Sequence, residues 1–548
     1  MSKLNAAIQC ILIGSMCGLP TGCASHETKQ TPAEGGRNTV QSSSATQEET
    51  FQVRLIFTTD EHGWLQPYTE HETKAQLGGV VAVFDHLKSN EELGKPHVLL
   101  LSAGDMWTGP YESTILKGAP VVQAFNYMGY AGAAVGNHEF DFGIAALQER
   151  AKEASFPFLA ANIKVEGTQD SPSWAIPSMM KTVDKVTFGI IGLANVHTDK
   201  ATDVVNLKGL VFEDYETALK REAPRLRQQG ADELVVILHD QIESLTNLLP
   251  LLRELDIRVA AGGHAHKPEQ YVDLGSDDTP QTSDDILFCN AGPYMRSYCK
   301  VDLRYRRTPA ATGAAVKNAI KMVSHELDVV AVRREASSPV PHPDPHLVAI
   351  VENAVQQSKA RGEEILARST QPITRENHAL EQMVTDSWLA TLTQAEIAIT
   401  NAGAIRQDLP AGKIRMRDVI SVMPFENELI IVDMTGKQLK EALANHESVV
   451  SGVTYFYEKR GQDRIVTRVL NQQQEEVKDT DVVRVIVNSF MYRGGDGFKF
   501  GSYDPDPENT TLDWRAPFVM YLKSKEDENQ LIHANEEQRA FLETNASP

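Results

Sequence analysis

Cysteine is scarce in this chain, and none of it is spaced as a zinc site. Five cysteines occur in 548 residues. Removal of an N-terminal export signal would leave Cys289 and Cys299, plus Cys23 if that residue is kept as an anchor. Basic charge is short as well. Lysine and arginine number 53 against 74 acidic residues, a net charge of −21, and a nucleic-acid polymer needs basic patches that such a balance does not favour. A small phosphate ester stays open, because a local metal pair reverses the potential in its own cleft. Apolar runs are too short to span a bilayer. The composition, 41% hydrophobic and 23% charged, is globular, and the length calls for two or more domains.

The first residues carry an address. Lys3 and the apolar stretch Ile8–Leu19 read as an export signal. Thr21-Gly22-Cys23 resembles the lipobox of bacterial lipoproteins, with Pro20 where the usual leucine stands, so Cys23 is the candidate lipid anchor. Ala24–Thr50, rich in Ser, Thr, Gln and Glu, reads as a disordered tether. The chain is therefore expected to be exported, periplasmic or at the cell surface, and to touch a membrane only through that anchor. Cys289 and Cys299 lie on two strand-like runs and are either a cross-strand disulfide or two buried thiols.

Beyond the tether, strand-like runs alternate with helical segments over residues 51–330, the pattern of an α/β sandwich. Phe156–Ile163 is expected as one strand, Glu213–Gln229 as a helix broken at Pro224, and Ser244–Leu255 as one helix. Four alternate prolines, Pro339, Pro341, Pro343 and Pro345, mark a stiff linker over 331–345. A helix over 346–366 follows, then a second mixed α/β unit over 367–522 and a polar tail over 523–548 ending in a frayed helix.

Five clusters of Asp, Asn and His each follow their own apolar run. They are Asp60-Glu61-His62, Gly104-Asp105, Gly136-Asn137-His138-Glu139-Phe140-Asp141, His239-Asp240 and Gly262-Gly263-His264-Ala265-His266. The runs fit buried strands, and ligand groups gather beyond strand carboxyl ends. A lone Asp-x-His is more often a turn. Five such clusters, each behind a strand, point instead to a metal site, with too many ligands for one cation. Alternation along extended chain aims Asp60 and His62 at one cation, does the same for His264 and His266, and separates Asn137 from His138. Asp105 has two oxygens and can bridge. Oxygen and nitrogen donors without thiolate suit Zn, Mn, Fe, Co or Mg.

These residues, with Gly136–Gly143 (GNHEFDFG), Gly262–His266 (GGHAH), Asn401–Arg406 (NAGAIR), Pro424–Asn427 (PFEN) and Gly494–Phe498 (GGDGF), carry a resemblance. From about Phe51 to Phe500 the chain resembles the 5′-nucleotidase / UDP-sugar hydrolase family, whose first domain is a calcineurin-like metallophosphoesterase. The resemblance implies a four-layer αββα sandwich followed by a mixed α/β substrate-binding domain. It implies two divalent metal ions, Zn, Mn or similar: one on Asp60, His62, Asp105 and His266, the other on Asp105, Asn137, His239 and His264. His138 and Asp141 correspond to the family's transition-state dyad. Relatives often carry an amide at the position of His266.

The resemblance extends to a small-molecule nucleotide substrate. Arg406 matches the arginine of the family's NGGGIR loop, with Ala402 and Ala404 in place of two glycines, and Arg375 corresponds to another phosphate-binding arginine, while Gln371 stands where some relatives carry a further one. Phe425 and Phe490 would clamp the base, although composition alone favours reading both as core phenylalanines at strand ends. Asp496 would accept ribose hydroxyls, and Asn401 and Asn427 would face the base edge. In relatives the second domain rotates about the helix after the linker. The implied activity is phosphate release from nucleoside 5′-monophosphates, extending to di- and triphosphates or UDP-sugars. The rivals are a 2′,3′-cyclic phosphodiesterase / 3′-nucleotidase, a thiosulfohydrolase, and a surface-binding lipoprotein that has lost its chemistry.

Overall fold

The computed structural model describes residues 49–69, 73–90, 92–274, 284–308, 319–335, 343–534 and 537–543. The export signal, Cys23 and nearly all of the tether lie outside them, as do residues 336–342 of the Pro-rich linker. Two six-stranded sheets form the first domain. The first runs in the order Ala319–Ala331, Ser297–Thr308, Glu49–Thr58, Val98–Ser102, Gly132–Ala134, Phe158–Leu159. The second runs Glu269–Asp273, Ile286–Asn290, Val259–Gly262, Glu233–Leu238, Val186–Leu193, Ser178–Val183.

Side-chain alternation explains the layers. Val53, Leu55 and Phe57 enter one core with Val235, Ile237 and Val259 of the other sheet. Ile56 and Leu100 turn outward onto the helices Val80–Ser89 and Ala119–Met128. Leu234, Val236 and Leu238 turn the opposite way, onto Tyr215–Gln228. Strands apolar on both faces are therefore covered on both faces, and the result is an αββα sandwich. Glu49–Thr58, Val98–Ser102 and Gly132–Ala134 are parallel neighbours, as are Glu233–Leu238 and Val259–Gly262. Each group brings its carboxyl ends to one edge. The five clusters thus come from two stacked sheets, three from one and two from the other, not from a single edge.

In the second domain a five-stranded sheet is ordered Ser448–Ser451, Ile397–Asn401, Val482–Asn488, Glu428–Thr435, Glu508–Asp513. Helices Ala379–Thr391 and Ala516–Asp527 cover one face around Trp388 and Trp514. Helix Gly436–Leu443, started by a Thr435/Gln438 capping box, and the ribbon Val453–Arg460/Asp463–Asn471 cover the other.

Several local expectations change. The helix Tyr215–Gln228 runs through Pro224, with Tyr215, Leu219, Ala223 and Leu226 buried along one face. That burial outweighs the hydrogen bond the proline removes. Ser244–Leu255 is two helices, Ile242–Asn247 and Leu249–Glu254, the second opening on Pro250. Phe156–Ile163 is interrupted between the strands Phe158–Leu159 and Ile163–Val165. Within the expected linker, Arg333–Arg334 pairs with Gln76–Leu77, and Pro345 is the first residue of the helix Pro345–Gly362. Proline costs nothing there, because the first helical N–H has no partner to lose. Asp344 caps that helix by accepting from His346 N at 3.0 Å, and Lys88 and Tyr127 hold the same carboxylate. Ile365 and Leu366, expected to end the helix, instead open the strand Ile365–Ser369, which pairs with Gly412–Arg415. The polar tail closes on a short strand, Ala540–Leu542, parallel to Tyr455–Tyr457. Cys289 and Cys299 are buried free thiols on facing sheets, within hydrogen-bonding reach of each other. Among the described residues no helix is long and apolar enough to cross a membrane.

Candidate metal centre and substrate cavity

Seven polar side chains converge where the two sheet edges meet. His62 Nε2 lies 2.9 Å from His266 Nε2, 4.0 Å from Asp60 Oδ1 and 3.9 Å from Asp105 Oδ2. His239 Nε2 stands 2.9 Å from the same Asp105 oxygen. Ligand atoms of Asp60, His62 and His266 form one compact group and those of Asp105, His239 and His264 another. Asp105 also groups with His62 and His138, so it stands between the two. The strand-alternation reading fails for one pair: His264 and His266 serve different groups. The cause is the backbone. Asp60, His62, Asp105, His264 and His266 all have φ between 45° and 64°, so they sit in tight left-handed turns after the strands rather than in extended chain.

The donor set fits divalent cations. His62 Nδ1 donates to the Thr108 carbonyl and His239 Nδ1 to that of Ala103, both at 2.9 Å, which turns each Nε2 toward the centre. Burial holds His62 and His266 well below the ordinary histidine range and His264 down at about 4, so these rings are neutral, the form in which an imidazole can bind a cation. His239 differs. Burial lowers it, but Asp105 outweighs burial and holds it up at about 10, so a cation must displace that proton. Asn137 Oδ1 is buried without a hydrogen-bond partner, and His239 Nε2 is buried against the Asp105 carboxylate. Asn137 Nδ2 is engaged on the Ala201 carbonyl at 3.0 Å, which turns the orphan oxygen inward. An orphaned amide oxygen and buried imidazole nitrogens beside two buried carboxylates suit a hard or borderline cation.

His138 sits above this centre. Its Nδ1 is 2.7 Å from Asp141 Oδ2 and its Nε2 4.0 Å from Asp105 Oδ2. Burial lowers its pKa, but Asp141 and Asp105 outweigh that and raise it overall, favouring imidazolium. Gly136 is required beside it, since a Cβ there would lie 2.2 Å from Asp105 Oδ1.

Sequence reasoning gave Glu139 no role, and the structure gives it a large one. Fully buried, it accepts from Asp105 N at 2.9 Å, Met106 N at 2.8 Å and Gly136 N at 2.6 Å. One carboxylate thereby ties the turn carrying Asp105 to the turn carrying Asn137. The available signal was an acidic residue inside an otherwise buried ligand loop.

Across a cavity of about 400 Å³ the second domain faces this centre with Asn401, Arg406, Phe425, Asn427, Phe490 and Asp496. Arg406 Nη2 reaches His62 Nε2 at 3.1 Å, and the Phe425 ring stacks on His138 at 5.5 Å between centroids. Phe490 rests on Gly495, where a Cβ would lie 2.3 Å from the ring. Asp496 Oδ2 accepts from Asn401 Nδ2 at 2.6 Å, and Asn401 Oδ1 is taken by Asn488 Nδ2 at 2.9 Å. Asn401 therefore orients Asp496 through Nδ2, while Asn488 fixes the other end of its amide. Burial pushes Asp496 up to about 6. Ala402 and Ala404 have no left-handed backbone, so the loop holds Arg406 without the glycines. Arg375 does not join the cavity lining; Asp408 and the Ile405 carbonyl hold its guanidinium.

The same two halves emerge from comparison with known proteins. Residues 53–268 match the calcineurin-like phosphoesterase family and residues 355–502 the 5′-nucleotidase C-terminal domain family. The chain belongs to the 5′-nucleotidase family. Among relatives, the 5′-nucleotidase of Homo sapiens is 26% identical over 509 residues, covering 82% of this chain and 84% of that protein. Protein UshA of Escherichia coli is 24% identical over 513 residues, covering 85% and 89%. A solved 5′-nucleotidase precursor from Thermus thermophilus shares the fold with a TM-score of 0.73 at 23% identity, covering 90% of this chain and 99% of its own. As a member of the family, the chain carries the domain order on which its relatives are built, with metal-binding groups in the first domain.

Proposed function

We propose that the protein is a phosphohydrolase that binds two divalent cations and releases phosphate from nucleoside 5′-monophosphates, and that di- and triphosphates or nucleotide sugars are further substrates. One observation carries the reading: a donor set in two groups with Asp105 standing between them, a His138–Asp141 pair above it, and an arginine, two aromatic rings and a carboxylate facing them across one cavity. Asp60, His62, Asp105 and His266 would hold one cation, and Asp105, Asn137, His239 and His264 the other. When bound, the cations supply Lewis acidity beside the phosphoryl oxygens and activate water. His138, held through Nδ1 by Asp141, presents a protonated Nε2 to the charge that develops on the phosphoryl group. Arg406 adds a fixed positive group, Phe425 and Phe490 offer faces to the base, and Asp496 accepts from the ribose. The helix Pro345–Gly362 would be the hinge, so a crosslink holding the domains apart would abolish turnover and leave metal content unchanged. Export and a lipid anchor at Cys23 complete the proposal.

Side-by-side assay of 5′-AMP, 3′-AMP and 2′,3′-cyclic AMP, with metal analysis of the same sample, tests it. Phosphate release from 5′-AMP alone supports the reading, and loss of that release in Asp105→Ala and His138→Ala assigns it to this site. Preference for the 3′ or cyclic substrate transfers the site to the rival activity. No hydrolysis with metals loaded leaves the surface-binding role.

A further inference from the structure

One stretch of the cavity wall has no part in that reading. Ala201, Thr202, Asp203 and Asn206 line the cavity from the first domain, where the short helix Thr198–Ala201 passes into the helical turn Val204–Leu207. Each is joined to something the reaction uses. The Ala201 carbonyl holds the Asn137 amide at 3.0 Å. Thr202 is buried and donates Oγ1 to Asp141 Oδ1 at 3.0 Å, opposite the oxygen that holds His138. Asn206 Nδ2 donates to the Asp141 carbonyl at 3.3 Å. Asp203 faces the other way. Its Oδ1 accepts from Val205 N at 3.1 Å, and its Oδ2 pairs with Arg493 of the second domain. Arg493 ends the helix Ser489–Tyr492 that carries Phe490, three residues before Asp496.

We infer that Ala201–Asn206 is a positioning strap that registers the His138–Asp141 pair and Asn137 against the second domain, with Thr202 as the positioning residue for Asp141 and Asp203–Arg493 as the link between domains. The inference rests on the phosphohydrolase reading for its kinetic consequence. The link is not glue. Its side chains are 16% and 31% exposed, and pairs that accessible to water add little stability. Its effect is on alignment, where a small displacement of a dyad lowers the rate far more than it lowers binding.

The test uses the full chain and two matched pairs, Thr202→Val with Thr202→Ser and Arg493→Gln with Arg493→Lys. With 5′-AMP, Thr202→Val and Arg493→Gln are expected to lower kcat about tenfold with KM changed less than about twofold. Thr202→Ser and Arg493→Lys restore most of kcat, and metal content is unchanged throughout. Hydrogen exchange gives a readout that needs no turnover: amides of Asn137–Asp141 exchange faster in Arg493→Gln than in the parent or in Arg493→Lys. A parent that releases no phosphate from 5′-AMP refutes the functional reading alone, and exchange still decides the strap. Unchanged exchange over Asn137–Asp141 in Arg493→Gln overturns the inference, even where kcat falls.

Discussion

Replacing Glu139 is expected to loosen the metal centre without removing a ligand from it. The carboxylate accepts three buried backbone N–H groups, two on Oε2 and one on Oε1. Alanine leaves all three without a partner. At roughly 1–3 kcal/mol for each orphaned buried group, and with water entering part of the space, Glu139→Ala should lose roughly 4 kcal/mol. Glutamine separates the contributions. Its amide oxygen can take the Oε2 position and satisfy Asp105 N and Gly136 N, but its NH2 then opposes Met106 N–H. One orphan and one donor–donor contact give a loss of roughly 2 kcal/mol. The turns that carry Asp105 and Asn137 are no longer tied together in alanine, so metal affinity should fall by roughly 10- to 100-fold. Denaturant unfolding by linear extrapolation gives the first quantity, and metal titration monitored by elemental analysis gives the second. A Glu139→Ala protein that loses less than about 1 kcal/mol and keeps its metal would refute the account.

Three other outcomes are expected. Gly495→Ala places a methyl into the Phe490 ring, so KM for 5′-AMP should rise several-fold while hydrolysis of a phenyl phosphate ester, which has no base to stack, stays near the parent value; equal losses on both substrates would count against the clamp. Burial raises Asp496 to about 6, so its carboxylate protonates as pH falls through that value and loses an acceptor; KM for 5′-AMP should rise below pH 6, and Asp496→Asn should show a high KM that no longer changes there. Chelation should lower the melting temperature by roughly 5 °C or more, since a ligand at 100 times its dissociation constant contributes about 2.7 kcal/mol. An identical melting curve with and without bound metal would exclude a built cation site.

The strands were readable from the sequence because both of their faces are buried. Val53–Phe57, Val98–Ser102 and Glu233–Leu238 are near-continuous apolar runs, and only strands covered on two sides can use them. What the runs do not encode is which sheet a strand joins. Glu233–Leu238 and Val98–Ser102 look alike, yet they lie in different sheets whose facing sides share one core. Helix ends were legible where a cap is local, as at Thr435, and misread where tertiary burial overrides a breaker, as at Pro224. The tail strand Ala540–Leu542 was hidden for another reason: its partner is about 85 residues away in sequence, and three residues have no periodicity of their own. Glu139 and the Thr202–Asp203 step escaped because their partners are backbone groups or residues of another element, and no spacing records them.

The seven donors of the centre were legible by residue type but not by geometry, and the difference has a physical cause. Five of the seven sit at positive φ, where an L-residue is held at a cost of order 1 kcal/mol even for the Asp and His types that tolerate it best. A sequence pattern built on extended chain pairs His264 with His266, and the left-handed turns send them to different groups. Two carboxylates, Asp60 and Asp105, are buried with these turns, one raised to about 6 by burial and the charge of the other. Nothing in the apolar packing rewards that arrangement. Strained turns, an orphaned amide oxygen and like charges brought together are each unfavourable alone; positive charge placed among the seven donors would relieve the last two, and its binding would offset the first. The centre is therefore a part of the fold that is completed by what it binds, which is why its backbone follows the needs of a ligand set rather than the strand that leads into it.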